Sequence, residues 1–346
     1  MNHMGRAAGS AKPFSGRLSP VPLLQVATGF WGSQALLTAV DLRIFTILFS
    51  GPKTAAEVAQ EAGAHAVATE AILDANCSLG FIHRVGEKYR NDEVSNAYLI
   101  EGSPGSYVDL IRFMREPLAG ILQHLGDVAR TGQSAVEAGA LEGVQLAAAR
   151  AFHAGAYSTM MRVAEILDLE FSAYSRILDV GSQTGAGSLC LARRYPQSQA
   201  VVLDRALFQP LAEEYIRTMK LEDRVRFAPG DPDAGQRGAD FDLAILSSHL
   251  SRRPRAALPG ILGAVAGSLR KQGMLLVTDF LIEDSRSEPR EAALFRLNAL
   301  ATYGSDVAGA MTRSGLYQLL RDAGFSEIDM VGLPMFGITA ITALRV

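Results

Sequence analysis

Apolar residues return at helical spacing from Pro22 onward, through Leu23, Leu24, Val26, Ala27, Phe30 and Trp31 to Ala35, Leu36, Ala39 and Val40. That period predicts a long helix. A second apolar stretch, Ile44-Phe-Thr-Ile-Leu-Phe49, ends where Ser50-Gly-Pro52 stops any further helix. Thr54 and Glu57 have capping-box spacing, and another such start falls near Ala68-Thr-Glu70, ahead of Ile72, Leu73 and Leu79. Residues 80–90 then hold two short β-like runs about a glycine turn. Helix, helix and hairpin in this order predict a winged-helix unit. Residues 107–150 read as helical, broken at Gly132 and across 139–143, and are expected to form a connector.

Beyond residue 150 the pattern changes. Short apolar runs at Arg176-Ile-Leu-Asp-Val180, Ala200-Val-Val-Leu-Asp204, 224–228, 240–246 and 274–280 alternate with helical stretches at 188–194 and 258–269. A Gly turn at Gln272-Gly273 precedes the fifth run, and a helix over 316–323 follows it. This order predicts a parallel sheet with helices on its faces. The last two runs, 328–331 and 337–344, have no helix between them and predict an antiparallel hairpin at the sheet edge. The expected class is therefore α/β, preceded by a mainly helical domain. The expected divisions are a flexible tail at 1–19, a winged-helix-like domain at 20–106, a connector at 107–150 and a ligand-binding domain at 151–346.

A chain of 346 residues is long enough for two cores. Its 33 basic and 36 acidic side chains leave a net charge of −3, which is no polyanion-binding signature. The second helix of the winged unit carries Glu70 and Asp74 and no Lys or Arg between Thr69 and Leu79, so it would repel phosphates; nucleic acid is not an expected partner. Cys77 and Cys190 lie far apart in apolar helical patterns and read as buried free thiols, which implies a reducing cytoplasm. No apolar run is long enough to span a bilayer, and no signal-peptide pattern opens the chain. The apolar surface at residues 23–40 exceeds what one small domain covers, so a homodimer is expected. His83 and His124 have no metal-ligand spacing around them and read as solvated or locally bonded.

The chemistry centres on Asp179-Val-Gly-Ser-Gln-Thr-Gly-Ala-Gly187, a strand end, a glycine-spaced loop and the start of a helix. Such a loop brings backbone N–H groups to a ligand at a helix N-terminus. The dinucleotide spacing G-x-G-x-x-G is not met, because the next glycine after Gly181 is Gly185. Asp204 closes the next run about two dozen residues on, where a carboxylate accepts hydrogen bonds from ribose hydroxyls. Pro229-Gly-Asp231 closes the third run and offers an acid or a backbone group to an adenine amino group.

These residues resemble the D-x-G-x-G-x-G motif of S-adenosylmethionine (SAM) methyltransferases, with Gln183 where a glycine is expected. The order of the pieces, with D-V-G at 179–181, L-D at 203–204, P-G-D at 229–231 and Asp322-Ala-Gly-Phe325 near the end, resembles small-molecule O-methyltransferases of the plant caffeate and acetylserotonin type and their bacterial natural-product relatives. The likeness implies a Rossmann-like SAM-binding sheet, a winged-helix dimerisation domain, and a substrate pocket between domains closed partly by a partner subunit. Carried over, Gly181, Ser182 and Gln183 line the methionine part, Asp204 holds the ribose, Asp231 with Pro232 flanks adenine, Ser247 contacts the cofactor, and Asp179, Arg205 and Gly230 are expected in the same cofactor-binding site.

Two departures stand out. The family's general-base His falls at Ser251, followed by Arg252-Arg253 in place of Asp-Trp, and its orienting acid falls near Arg296. A Ser hydroxyl is too weak a base to replace imidazole at neutral pH. Other candidates are His249, two residues earlier, and His153 with Tyr157, one helical turn apart. Asn298, Tyr303 and Asp306 fall on the segment expected to cover the pocket. The expected function is SAM-dependent methylation of a small, aromatic or polyketide-like metabolite at O, C or N, relying on proximity and alignment. The alternative is a member of the same fold that has turned to a non-methylating step: a cyclisation, hydroxylation or decarboxylation. A ligand-sensing winged-helix regulator is the third reading.

Overall fold

The computed structural model describes residues 18–103, 105–167, 171–234, 238–307, 311–334 and 336–346. The expected tail therefore lies outside the described residues as far as residue 17. Internal contacts divide the chain into two compact units, Met1–Asn96 and Ala97–Val346.

The first unit holds helices α1 (Val21–Asp41), α2 (Ile44–Phe49), α3 (Ala55–Ala62) and α4 (Ala66–Ser78), with strands β1 (Lys53–Thr54), β2 (Ile82–Val85) and β3 (Lys88–Asn91) in a sheet ordered β1-β3-β2. α5 (Glu93–Tyr98) follows at its end. The capping box forms as its spacing requires, with Thr54 N–H donating to Glu57 Oε2 at 2.7 Å and Glu57 N–H to Thr54 Oγ1 at 3.3 Å. The second start differs: α4 begins at Ala66, two residues before the expected position, and its N-cap His65 makes no side-chain cap bond. There the packing of Leu73 and the Asn76 amide, which donates to Ala35 O at 3.1 Å, fixes the helix without a cap. Phe45, Leu73, Ile82 and Tyr89 form the core, and the Tyr89 hydroxyl donates to Asp74 Oδ1 at 2.8 Å. Along α1, Leu23, Val26, Phe30 and Trp31 remain exposed in this chain alone, Trp31 at 65 %. His83 bonds Asp92 at 2.9 Å.

The second unit begins with four short helical segments: α6 (Val108–Phe113), a turn over Met114–Leu118, α7 (Ala119–Gln123) and α8 (Leu125–Thr131). The 26-residue α9 (Leu141–Ile166) comes next. The sequence placed a division at 150/151, but α9 runs unbroken through it, and Gly143 sits inside its first turns. A helical glycine costs only about 1 kcal/mol, less than α9 gains by burying Ala149, Ala151, Met160 and Val163.

Then come β4 (Arg176–Val180), α10 (Ala186–Arg194), β5 (Gln199–Asp204), α11 (Gln209–Thr218), β6 (Val225–Pro229), β7 (Phe241–Ser247), α12 (Leu258–Ser268), β8 (Leu269–Phe280), α13 (Arg290–Tyr303), α14 (Arg313–Asp322), β9 (Phe325–Gly332) and β10 (Ile338–Arg345). The seven-stranded sheet runs β6-β5-β4-β7-β8-β10-β9. Strands β4 to β8 are parallel, and β10 and β9 are antiparallel at one edge. Both faces are covered. Leu178, Val180, Leu246 and Val277 point into one core with α12 and α14, while Ile177, Leu243, Ile245 and Leu276 alternate into the other with α9 and α10. β8 starts earlier than its apolar run suggests. The Gln272-Gly273 turn is a bulge inside it, with Gln272 at φ 58° and the register stepping from Phe241↔Leu269 to Leu243↔Met274. A Cβ on Gly273 would lie 2.8 Å from Arg270 O, which is why glycine stands there. Among the described residues, no helix is long and apolar enough to cross a membrane.

Candidate active site

The carboxyl ends of β4, β5, β6, β7 and β8 gather the functional side chains, all within the second unit, as expected of an open parallel sheet. β4 delivers Asp179, fully buried, whose Oδ2 accepts from the Ser188 hydroxyl at 2.8 Å and its amide at 3.2 Å. Burial pushes this carboxyl up to about 6. The loop after it turns through left-handed backbone at Gly181 (φ 67°), Gln183 (φ 65°) and Gly185 (φ 70°). Gln183 thus keeps the conformation that favours glycine and bears its strain, about 1–2 kcal/mol for an L side chain.

β5 delivers Asp204, 2 % exposed. Its Oδ2 accepts from Gln183 N–H at 2.8 Å and its Oδ1 from Arg205 N–H at 2.7 Å. Burial raises this carboxyl despite those amides. The Arg205 side chain turns elsewhere, donating to Gln145 Oε1 at 2.6 Å over the Phe208 ring. Gly230 donates its N–H to Asp204 O at 2.9 Å, and a Cβ there would lie 2.9 Å from Leu203 Cδ1. Asp231 is exposed and accepts from Asp233 N–H at 2.9 Å, while Pro232 is buried. Ser247, at the end of β7, accepts from the Thr278 hydroxyl at 3.2 Å.

The catalytic candidates separate. His153 Nδ1 lies 2.9 Å from Thr184 Oγ1, and its ring stacks on Tyr215 at 3.5 Å; burial pushes it down to about 4. Tyr157 packs into the core beside Cys190, and burial raises its phenol. The two lie one turn apart on α9, and no hydrogen bond joins them among the described residues. His249 is wholly buried, its Nε2 3.0 Å from Asp233 Oδ1, and burial pushes it down to about 4. It fills the space against Gly181, where a Cβ would lie 1.9 Å from His249 Nδ1.

Sequence reasoning missed three participants. Asp233 takes Arg253 Nε at 2.9 and 2.7 Å as well as His249. Burial works against its charge, but the hydrogen bonds from His249 and Arg253 hold it well below the usual carboxylate range. Arg252 donates through Nη2 to Gly181 O at 3.1 Å and through Nε to Ser248 O. The Arg-Arg pair that stands for Asp-Trp therefore ties the loops after β4, β6 and β7 together. Asp279, fully buried at the end of β8, accepts from Ser251 N–H at 3.1 Å and Phe280 N–H at 2.8 Å, and burial raises it. The same strand-end rule that singled out Asp179 and Asp204 applies to Asp279, and it places a carboxylate beside Ser251 where the sequence reading found no acid.

This site has the parts an adenosyl sulfonium compound needs. Two of about four lone-pair positions on Asp204 remain for ribose hydroxyls. The Ser182 hydroxyl hydrogen-bonds the Asp179 carboxylate, and His249 Nδ1 is buried without a hydrogen-bond partner beside the glycine loop. Among the described residues no group of side chains suits a metal ion.

Residues 24–101 match the O-methyltransferase dimerisation domain, and residues 135–326 match the O-methyltransferase domain. The chain belongs to the O-methyltransferase family. It is 30 % identical over 317 residues to the tetracenomycin polyketide synthesis 8-O-methyl transferase TcmO of Streptomyces glaucescens, covering 89 % of this chain and 92 % of that one. It is 29 % identical over 348 residues to a 3-hydroxy-5-methyl-1-naphthoate 3-O-methyltransferase of Streptomyces sahachiroi, covering 98 % and 99 %. Among solved structures, human N-acetylserotonin methyltransferase in complex with SAM superposes with a TM-score of 0.81 at 26 % identity, over 96 % of this chain and 99 % of that one. The chain is a SAM-dependent methyltransferase of this family. When bound, SAM supplies an electrophilic methyl group; the strand-end acids and the glycine loop of this chain are the residues that would hold it.

Proposed function

We propose that this enzyme methylates a small aromatic or polyketide-like metabolite whose acceptor atom needs no imidazole base. One observation carries the reading: Ser251 stands in the base position, and neither histidine at the site is free to take its place. His153 is stacked on Tyr215 and bonded to Thr184, and His249 is sealed beneath Gly181. Without a base, the rate rests on alignment of acceptor and methyl donor, worth several powers of ten. That suits an ionised hydroxyl, an amine or a nucleophilic carbon. Relatives support the class: TcmO and the naphthoate enzyme are named for O-methylation, and OxyT of Streptomyces rimosus, 28 % identical over 293 residues, is an N,N-dimethyltransferase.

In the same reading, residues 20–106 serve as the dimerisation module of a homodimer through the exposed face of α1, 107–150 as connector, and 151–346 as the SAM-binding domain. The free thiols at Cys77 and Cys190 suit a reducing cytoplasm. The test is incubation with SAM and a panel of hydroxynaphthoates and aromatic polyketides, followed by mass spectrometry. A product heavier by one methyl, with S-adenosylhomocysteine released, is expected; a product formed without that methyl would favour the cyclisation, hydroxylation or decarboxylation alternative.

A further inference from the structure

We propose that Arg252 is a cofactor-binding residue whose guanidinium holds the α-carboxylate of the methionine part of SAM. The inference rests on SAM being the cofactor, and it gives a role to a residue that the family resemblance leaves without one.

Arg252 follows the base position, where the family has an acid, so nothing is carried over to it. Its side chain reaches back across the ends of two strands: Nε donates to Ser248 O after β7, and Nη2 donates to Gly181 O after β4 at 3.1 Å. The order of strands in the sheet turns between β4 and β7, and open parallel sheets bind their ligands in the crevice at such a turn. The two carbonyls therefore fix the guanidinium in the cofactor crevice, against the loop that takes the methionine part.

Both of those partners are neutral. The next residue, Arg253, is paired with Asp233 at 2.7 Å, whereas no carboxylate lies within ion-pair distance of Arg252 among the described residues. Its charge lowers the Asp204 and Asp279 carboxyls from farther off, against the stronger effect of burial. Those two acids accept from backbone amides instead, Gln183 and Arg205 for the first, Ser251 and Phe280 for the second. Arg252 is partly buried, and a cation drawn out of water without a counter-ion is costly. The arrangement calls for an anion.

The guanidinium can also be reached. It has more N–H donors than the two in use. Nη1 makes no hydrogen bond among the described residues and is not among the side-chain atoms sealed from solvent. A carboxylate is the anion that a guanidinium fork fits best, two N–H groups to two oxygens. The glycine loop has few amides left to compete: Gly181 N–H is spent on Leu203 O at 2.9 Å, Gln183 N–H on Asp204, and Thr184 N–H on Ser182 O at 2.7 Å. SAM brings one anionic group, the α-carboxylate; its α-ammonium and sulfonium are cations that Arg252 repels.

The experiment is calorimetric titration of the full-length protein with three probes: S-adenosylhomocysteine, S-adenosyl-3-thiopropylamine, which lacks only the carboxylate, and 5′-methylthioadenosine, which lacks the whole amino-acid part. In the parent protein, losing the carboxylate should weaken binding about 10- to 100-fold, the range for a hydrogen bond to a charged group. Arg252→Met keeps most of the stem and removes the guanidinium. It should weaken S-adenosylhomocysteine by a similar factor, leave methylthioadenosine unchanged, and leave the thiopropylamine unchanged or tighter, since its ammonium loses a repelling neighbour. Equal binding of S-adenosylhomocysteine and the thiopropylamine by the parent protein overturns the proposal with no variant needed. Equal weakening of all three probes in Arg252→Met overturns it as well, because the side chain would then only brace the two loops. Parent-like binding of all three by the variant also overturns it, and leaves the cation to an anionic acceptor. If the parent protein binds none of the probes, the SAM reading itself fails and this assignment with it.

Discussion

Gly181→Ala should be among the most damaging single changes in the sheet unit, and the structure says how much and why. Gly181 has φ 67°, where an L side chain costs ~1–2 kcal/mol. The added methyl would lie 1.9 Å from His249 Nδ1 and 2.2 Å from Cε1, so the ring must move. Moving it breaks the bond to Asp233, and a hydrogen bond to a charged group is worth ~1.5–3 kcal/mol. The stiffer unfolded chain of alanine returns ~0.4–1 kcal/mol. The sum is a loss of about 3 kcal/mol, or a melting temperature lower by roughly 6–12 °C for a unit of this size. In a His249→Ala background the clash is gone and only the backbone term remains, so the same change should cost about 1 kcal/mol. The assay is urea unfolding of the parent, both single variants and the double variant, followed by circular dichroism, with the coupling taken from the cycle. A coupling near 2 kcal/mol is expected. Strict additivity, or a Gly181→Ala protein within 1 kcal/mol of the parent, would refute the packing described for this loop.

Four further outcomes follow from the same geometry. Ser251→His places an imidazole beside the buried Asp279 carboxylate and should raise turnover of a phenolic acceptor at neutral pH about 10²-fold or more; adding Asp279→Asn should remove that gain in steady-state assays. Asp204→Asn should weaken S-adenosylhomocysteine at least about tenfold by calorimetry, since it removes a charged acceptor for the ribose. His153 and His249 titrate near 4 in the folded protein but near 6.5 unfolded, so between those values the unfolded state holds more protons and stability falls as pH falls, by about 1.4 kcal/mol per pH unit for each ring. His153→Phe should flatten that slope in urea titrations across pH 4.5–6.5. Phe30→Glu with Trp31→Glu should shift the light-scattering mass toward a monomer; an unchanged mass would remove α1 from the proposed dimer contact.

Much of the fold was legible because its signals are local and redundant. The strand ends at Asp179 and Asp204 came from apolar runs closed by an acid, the Thr54–Glu57 cap from two residues three apart, and the edge hairpin from two runs with no helix between them. What escaped depends on partners distant in sequence. Nothing near His249 says that Asp233 and Arg253 will clamp it, or that Gly181, 68 positions earlier, leaves the space its ring fills. Helical spacing put His153 and Tyr157 one turn apart, but it could not say that Tyr215 of α11 stacks on the first or that Cys190 of α10 lies beside the second. The start of β8 was misjudged for a similar reason: a turn signal at Gln272-Gly273 looks the same in sequence whether it ends a strand or bulges within one.

Asp204 is already held by two backbone amides, Gln183 on one oxygen and Arg205 on the other, in the protein alone. The ribose acceptor is therefore in position before any nucleoside arrives, and no chain segment has to order itself around it. Cofactor capture at this strand end should be governed by encounter and fit: on-rates that fall in simple proportion to solvent viscosity, and amide exchange across the loop that changes little on saturation.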